Sequence, residues 1–256
     1  MLNGNSPSNK DKTLKGKTVA IVAMGKSQLD YHMSISHSKE YDEVWAINSM
    51  CAVVKPDRVF IMDPVSRFFE TNDAGPQTKV LQKTLPKLKC PIYSCELDKR
   101  VPSLELYPLE KVVQKTNCGY FNNTIAYAIA FALYKEVSRI SLYGADFSYT
   151  TNIHFGELGR GCCEFWLAKC MAQGIDVSIA ATSPMLDTNI SEKEKLYGYH
   201  RLENPPVVYL KDGDLKITEF SNIEIDDEKP VGVSGRQDHM RVRKTNGLTP
   251  PEPSQY

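Results

Sequence analysis

The residues of this 256-residue chain that could do chemistry gather just after short apolar runs. Gly25-Lys26-Ser27 ends the run TVAIVAMG and opens a helical pattern. Glycine permits close backbone approach, Ser27 offers a cap, and the free N–H groups with the helix dipole attract an anion. Lys26 adds a point charge. The triplet is neither a Walker loop nor a dinucleotide GxGxxG fingerprint, which weakens ordinary ATPase and dehydrogenase readings. Asn48 and Asp63 end two further runs, EVWAIN and DRVFIMD. Asn122 and Asn123 open an apolar helix, TIAYAIAFALYK, which they can cap while offering amides to a ligand. Gly144 precedes Asp146, and the loop DFSYTTNIH carries Ser148, Tyr149 and His154. His154 sits in that polar loop, whereas His32, His37, His200 and His239 lie on helix or tail stretches. An imidazole accepts a proton near neutrality, which suits a general base. Asp63 and Asp146 could hold a divalent ion or a ribose, and for each the plainer reading is a cap or turn residue.

The elements that must position these groups are legible from periodicity. Near-continuous apolar runs at Thr18 to Gly25, Glu43 to Asn48, Asp57 to Asp63, Cys90 to Cys95, Arg139 to Gly144 and Asp176 to Ala181 predict buried strands. Helical patterns at Gln28 to His37, Gln77 to Leu85, Asn123 to Lys135 and Arg160 to Gln173 separate them. Strands joined by helical crossovers make a parallel sheet covered on both faces. After Pro206, VVYLKDGDLKITEF reads as two alternating runs around a turn, a β-hairpin at about 206–221. The fold class expected is α/β, a doubly wound, mainly parallel Rossmann-like sheet with a C-terminal β-hairpin and flexible termini. Residues 1–16 read as a flexible lead-in, 17–225 as the Rossmann-like domain with its hairpin, and 226–256 as a flexible tail. In such sheets ligands bind beyond the carboxyl ends of the strands, where the residues named above fall.

Composition narrows the function classes. Lysine plus arginine number 31 against 31 aspartate plus glutamate, so the chain lacks the basic excess of a dedicated nucleic-acid binder. Its 41% hydrophobic content is too high for a wholly disordered chain. No apolar stretch approaches the ~20 residues that span a bilayer, and the polar start is not a secretory signal. The seven cysteines form no CxxC pair and read as reduced thiols in a cytoplasmic protein, with a His154–Cys162–Cys163 zinc site the weaker alternative. The basic MRVRK segment, Met240 to Lys244, allows at most peripheral membrane contact. A homo-oligomer is compatible with all of this.

Four stretches in order resemble a known group: Ile61 to Thr71, the helix after Asn122, Ser141 to Tyr149, and Cys162 to Leu186. They resemble the bacterial sialyltransferases that modify lipooligosaccharide. They also resemble the related Rossmann-like family of motility accessory factors and archaeal 6-hydroxymethyl-dihydropterin pyrophosphokinase. The likeness runs from about Val19 to Leu186, with GADFSY its most specific motif. It implies a metal-independent glycosyltransferase taking a nucleotide-activated, CMP-linked sugar and a glycan or other hydroxyl acceptor. Gly25, Ser27, Asn48, Asp63, Asn122, Asn123, Ser148 and Tyr149 would then hold the donor, Tyr149 at its phosphate, and the strand-end residues Lys26, Gly144 and Asp146 join them from their position alone. His154 would be the base. The chain departs from the family pattern in three places: Lys26 replaces a usual proline, Tyr120-Phe121 stand where an arginine is expected, and the loop from Tyr149 to His154 is short.

Two other readings use the same residues. In a Mg-dependent pyrophosphoryl or nucleotidyl transferase, Asp63 and Asp146 would hold the metal and Lys26 the phosphates. In a non-catalytic nucleotide-binding relic, the altered first loop would be a degraded site.

Overall fold

A computed structural model describes residues 13–37, 40–149, 152–191, 195–196, 206–211, 213–219 and 222. The apolar run at Thr18–Val22 forms strand β1, and helix α1 follows over Gln28–Ser36. Strand β2 (Glu43–Ile47), strand β3 (Arg58–Phe60), helices α2 (Val65–Glu70) and α3 (Pro76–Thr84), and strands β4 (Ile92–Ser94) and β5 (Leu104–Leu106) come next. Helices α4 (Leu109–Thr116) and α5 (Thr124–Lys135) lead to β6 (Arg139–Tyr143), α6 (Ile153–Ala172) and β7 (Asp176–Ile179). These seven strands form one sheet in the order β5-β4-β3-β2-β1-β6-β7, and every neighbouring pair is parallel. The chain winds outward one way from β1 to β5 and then returns to place β6 on the other side of β1. That reversal opens a crevice at the carboxyl ends of β1 and β6.

Period-2 alternation builds two cores from the same strands. Val19, Ile21, Trp45, Ile47, Phe60 and Tyr93 face α4, α5 and α6. Ala20, Val22, Ala46, Val59, Ile61 and Ile92 face α1, α2 and α3. Helix α5 is rich in alanine, with Ala126, Ala128, Ala130 and Ala132 fully buried, so its backbone lies close over the sheet. Its Phe131 completes an aromatic file with Trp45, Phe60 and Tyr93, whose ring centroids are 4.7 to 5.6 Å apart. At the opposite end of the sheet from the crevice, buried Arg58 donates to Glu43 at 2.7 Å and to the Tyr93 hydroxyl at 3.0 Å. The Trp45 indole donates to the same carboxylate at 2.8 Å, which satisfies a charge pair taken out of water.

A second unit, Ile190–Tyr256, is separate from the first, Met1–Asn189. The hairpin lies in it, so the single 17–225 domain expected from the sequence is divided there. Strands β8 (Pro206–Lys211) and β9 (Asp214–Glu219) pair antiparallel from Pro206↔Glu219 to Lys211↔Asp214, around a Gly213 with φ of 85°. The lead-in departs from expectation. Leu14 is buried in the core, and the Gly16 N–H bonds the Glu136 carbonyl at 2.9 Å, so packing begins before residue 17. The remainder of the expected flexible lead-in, residues 1–12, and the 226–256 tail lie outside the described residues. Strand β5 and helices α2 and α4 carry no signal long enough to stand out: three, six and eight residues. Among the described residues no helix is long and apolar enough to cross a membrane.

Candidate functional site

The carboxyl ends of β1, β2, β3 and β6, with the starts of α5 and α6, enclose a cavity of about 980 Å³. This is at the upper end of the ~300–1,000 Å³ range of ligand sites. All the residues expected from the sequence line it except Ser27 and His154. Gly25 and Lys26 come from the loop after β1, Asn48 from the end of β2, and Asp63 from beyond β3. Asn122 and Asn123 come from the start of α5, and Gly144, Asp146, Ser148 and Tyr149 from the loop after β6.

Ser27 lies beneath the cavity wall, 1% exposed, and does not cap α1. Its hydroxyl donates to Asp146 Oδ1 and accepts from the Gly144 N–H at 2.9 Å, while its N–H donates to Asp146 Oδ2 at 2.8 Å. The Gly25 N–H bonds the Gly144 carbonyl at 2.8 Å. A carboxylate from the far side of the switch point therefore occupies the positive end of α1, where the sequence left room for a ligand anion. The glycine of the first loop follows from this closeness. A β-carbon on Gly25 would stand 2.6 Å from both Asp146 Oδ2 and the Gly144 oxygen.

His154 is the second residue of α6, not a loop residue, and it is exposed outside the cavity lining. Asn152 caps that helix, accepting from the Phe155 N–H at 3.1 Å. The helix starts two turns before the expected Arg160, and those turns read as loop because they carry Gly156 and Gly159, poor helix formers that close contact requires. A β-carbon on Gly159 would meet the Phe147 ring at 2.6 Å, and one on Gly156 the Phe147 oxygen at 2.5 Å. Phe147 itself sits at φ 49°, and Asn48 across the cavity at φ 51°. Left-handed backbone at two non-glycine residues on one cavity rim is strain that the surrounding packing holds in place.

The asparagine pair does two jobs. Asn123 Oδ1 caps α5 through the Ala126 N–H at 3.0 Å, and its amide donates to Asn122 Oδ1 and to the Gly159 carbonyl. Asn122 donates to the Leu158 carbonyl at 2.9 Å. They tie α5 to α6 and still line the cavity. Asn48 Oδ1 is buried without a hydrogen-bond partner. Sequence reasoning missed Met62, Cys95, Phe121, Tyr127, Phe147 and Phe155, which complete the wall. Phe121 stacks between Tyr127 at 4.3 Å and Trp166 at 5.0 Å, so both of its faces are covered. Only its place beside Asn122 could have flagged it.

The charged side chains of the lining differ in their partners. Asp63 pairs with Arg67 at 2.7 Å, and Asp146 is satisfied by Ser27. Lys26 is exposed and makes no ion pair among the described residues. The carboxylates assigned to a magnesium ion are thus engaged elsewhere. Among the described residues no group of three or more His, Cys, Asp or Glu side chains could hold a metal. Cys163, behind the Asn123 side chain, is not a poised nucleophile. Burial pushes the Cys163 thiol far up, and its Sγ donates to Asn123 Oδ1 at 3.3 Å.

No protein-family model matches the chain. A comparison with curated proteins also gives no match. Among solved structures the chain is similar to the sialyltransferase CstII from Campylobacter jejuni, determined in complex with a substrate analogue, CMP-3FNeuAc. The TM-score is 0.45 and the identity 16%, with 88% of this chain and 97% of that chain covered. A likeness at that level assigns no residue.

Proposed function

We propose that the switch-point cavity binds a nucleotide-activated sugar and that the protein is a glycosyltransferase acting without a metal. The observation that carries this reading is Lys26 in the cavity lining without an ion pair among the described residues, while Asp63 pairs with Arg67 and Asp146 is hydrogen-bonded to Ser27. A lysine with no ion pair among the described residues, with amide and hydroxyl groups around it, offers an anionic ligand a counter-charge. The resemblance in sequence supplies the remainder: a CMP-linked sugar as donor, and a glycan or other hydroxyl compound as acceptor. Transition-state charge would develop on the departing phosphate, where Lys26 and the α5 N-terminus would meet it. His154 is the proposed base through its position in sequence, one residue before Phe155 of the cavity wall.

Thermal shift with CMP, CMP-sugar, UDP and ATP, each with Mg²⁺ and with EDTA, tests the reading. A ligand at ~100 times its Kd stabilises by about 2.7 kcal/mol. Stabilisation by cytidine nucleotides that survives EDTA is expected, and Lys26→Ala should weaken it about tenfold or more. A shift confined to ATP with Mg²⁺ would reject it. His154→Ala should lower turnover about 10²-fold or more with nucleotide affinity unchanged, the size of a lost general base. An unaltered rate removes His154 from the mechanism.

A further inference from the structure

We propose that the outward face of α6 is the contact surface for a second copy of this chain, packed antiparallel about a two-fold axis. The proposal does not depend on what the cavity binds. Helix α6 runs 20 residues, and its inward side is buried through Cys163, Trp166, Leu167 and Cys170. On the outward side Leu158 is 48% and Phe165 41% exposed, and Gly161 and Ala168 are exposed along the same strip. An apolar strip of this kind, rimmed by charged residues, marks an interaction surface. Glycine weakens a helix interior, and at Gly156 and Gly159 the room it leaves is taken by Phe147. A β-carbon on Gly161 would meet nothing within 4 Å, so packing within the chain gives no reason for that glycine.

The order of the side chains selects the occupant. Glu157, Gly161, Phe165 and Lys169 stand at every fourth position and so form one row along the helix. Such rows are the ridges that interdigitate when two helices cross at about 50°, the commonest class of helix packing. Turned end for end, this row is complementary to itself. Glu157 falls opposite Lys169 of the second copy, and each Phe165 ring faces the recess left at the other Gly161. A two-fold interface requires this reciprocity, in which every contact occurs twice. Neither Glu157 nor Lys169 has an ion pair among the described residues, so both charges are available to the second copy. Tyr120, its ring centroid 5.7 Å from that of Phe165, widens the apolar centre of the contact. A single helix crossing buries less than the ~800 Å² per partner of a standard interface, so the dimer is a weak one.

Sedimentation equilibrium of the full chain, from about 5 µM to about 500 µM, tests this. A monomer–dimer equilibrium is expected. Glu157→Lys and Lys169→Glu should each weaken it about tenfold or more, because like charges then oppose one another in both contacts. An equimolar mixture of these two variants should regain the wild-type affinity, since every contact between positions 157 and 169 again joins opposite charges. Gly161→Leu should abolish the dimer with no fall in melting temperature, because its side chain enters open space in the monomer. A wild-type chain that stays monomeric throughout the range overturns the proposal and leaves the face to a different partner. Charge variants that dimerise as the wild type does place the contact elsewhere and overturn it. A mixture no tighter than either variant alone overturns the antiparallel pairing.

Discussion

Asp146 and Ser27 are the pair on which the site's shape depends. Their side chains and backbone join the loop after β1 to the loop after β6 across 119 residues of sequence. Removing the serine hydroxyl strands an Asp146 oxygen and the Gly144 N–H in a buried place. Leaving such groups unpaired costs about 1–3 kcal/mol. Ser27→Ala should therefore lower urea-unfolding stability by about that amount. It should also weaken nucleotide binding, because Gly25 and Lys26 lose their anchor. A variant with wild-type stability and affinity would show that the pairing is incidental. The sequence identified both residues as strand-end polar groups. It could not show that they satisfy each other, since no local pattern records a partner 119 positions away.

Helix α6 shows what a sequence pattern hides at the level of an element. Its hydrophobic spacing is clear from Arg160 onward, where Cys163, Trp166, Leu167 and Cys170 are buried. Its first two turns carry Gly156 and Gly159, which read as loop because glycine is a poor helix former. The structure shows that these glycines exist for Phe147, not for flexibility. Gly159→Ala would drive a methyl into the Phe147 ring from 2.6 Å, an overpacking cost of about 1–3 kcal/mol. A thermal melt should fall accordingly, and the Phe147→Ala, Gly159→Ala pair should be non-additive. The same early start carries His154 out of the loop where the sequence placed it and onto an exposed helical turn. Conversely, α5 was legible almost to the residue, because a long apolar run opened by Asn123 has one reading.

Across the whole molecule, two sets of charges pin the end of the sheet away from the cavity. The N–H of Thr18, with Lys17 and the Thr18 hydroxyl, holds the Asp42 carboxyl at about 2, below its ordinary 3.8. Lys115 and Lys15 hold Glu136 at about 2, below 4.5. A folded pKa below the unfolded one gives stability that is present above pH 4.5 and lost as the pH falls toward 2. The melting temperature should thus decline through that window, and the double variant Asp42→Asn, Glu136→Gln should flatten the decline. A wild-type slope in the double variant would assign the acid sensitivity elsewhere. At the same end of the sheet, Glu43→Ala would leave buried Arg58 without its carboxylate, a loss of about 3–5 kcal/mol measurable by denaturant.

The sequence by itself determined the kinds of element, most of their order, the parallel sheet, and the set of polar residues at the strand ends. These depend on burial with period 2 or 3.6, which is written locally in the chain. Only the tertiary structure decided which strand-end groups face a ligand and which satisfy one another. It placed Lys26 in the cavity without an ion pair among the described residues, turned Asp146 inward to Ser27, and set His154 outside the lining. It also divided the hairpin from the sheet at Asn189. Such outcomes follow from side-chain pairing over long separations and from close approach at Gly25, Gly156 and Gly159, and neither leaves a periodic trace in the amino-acid order.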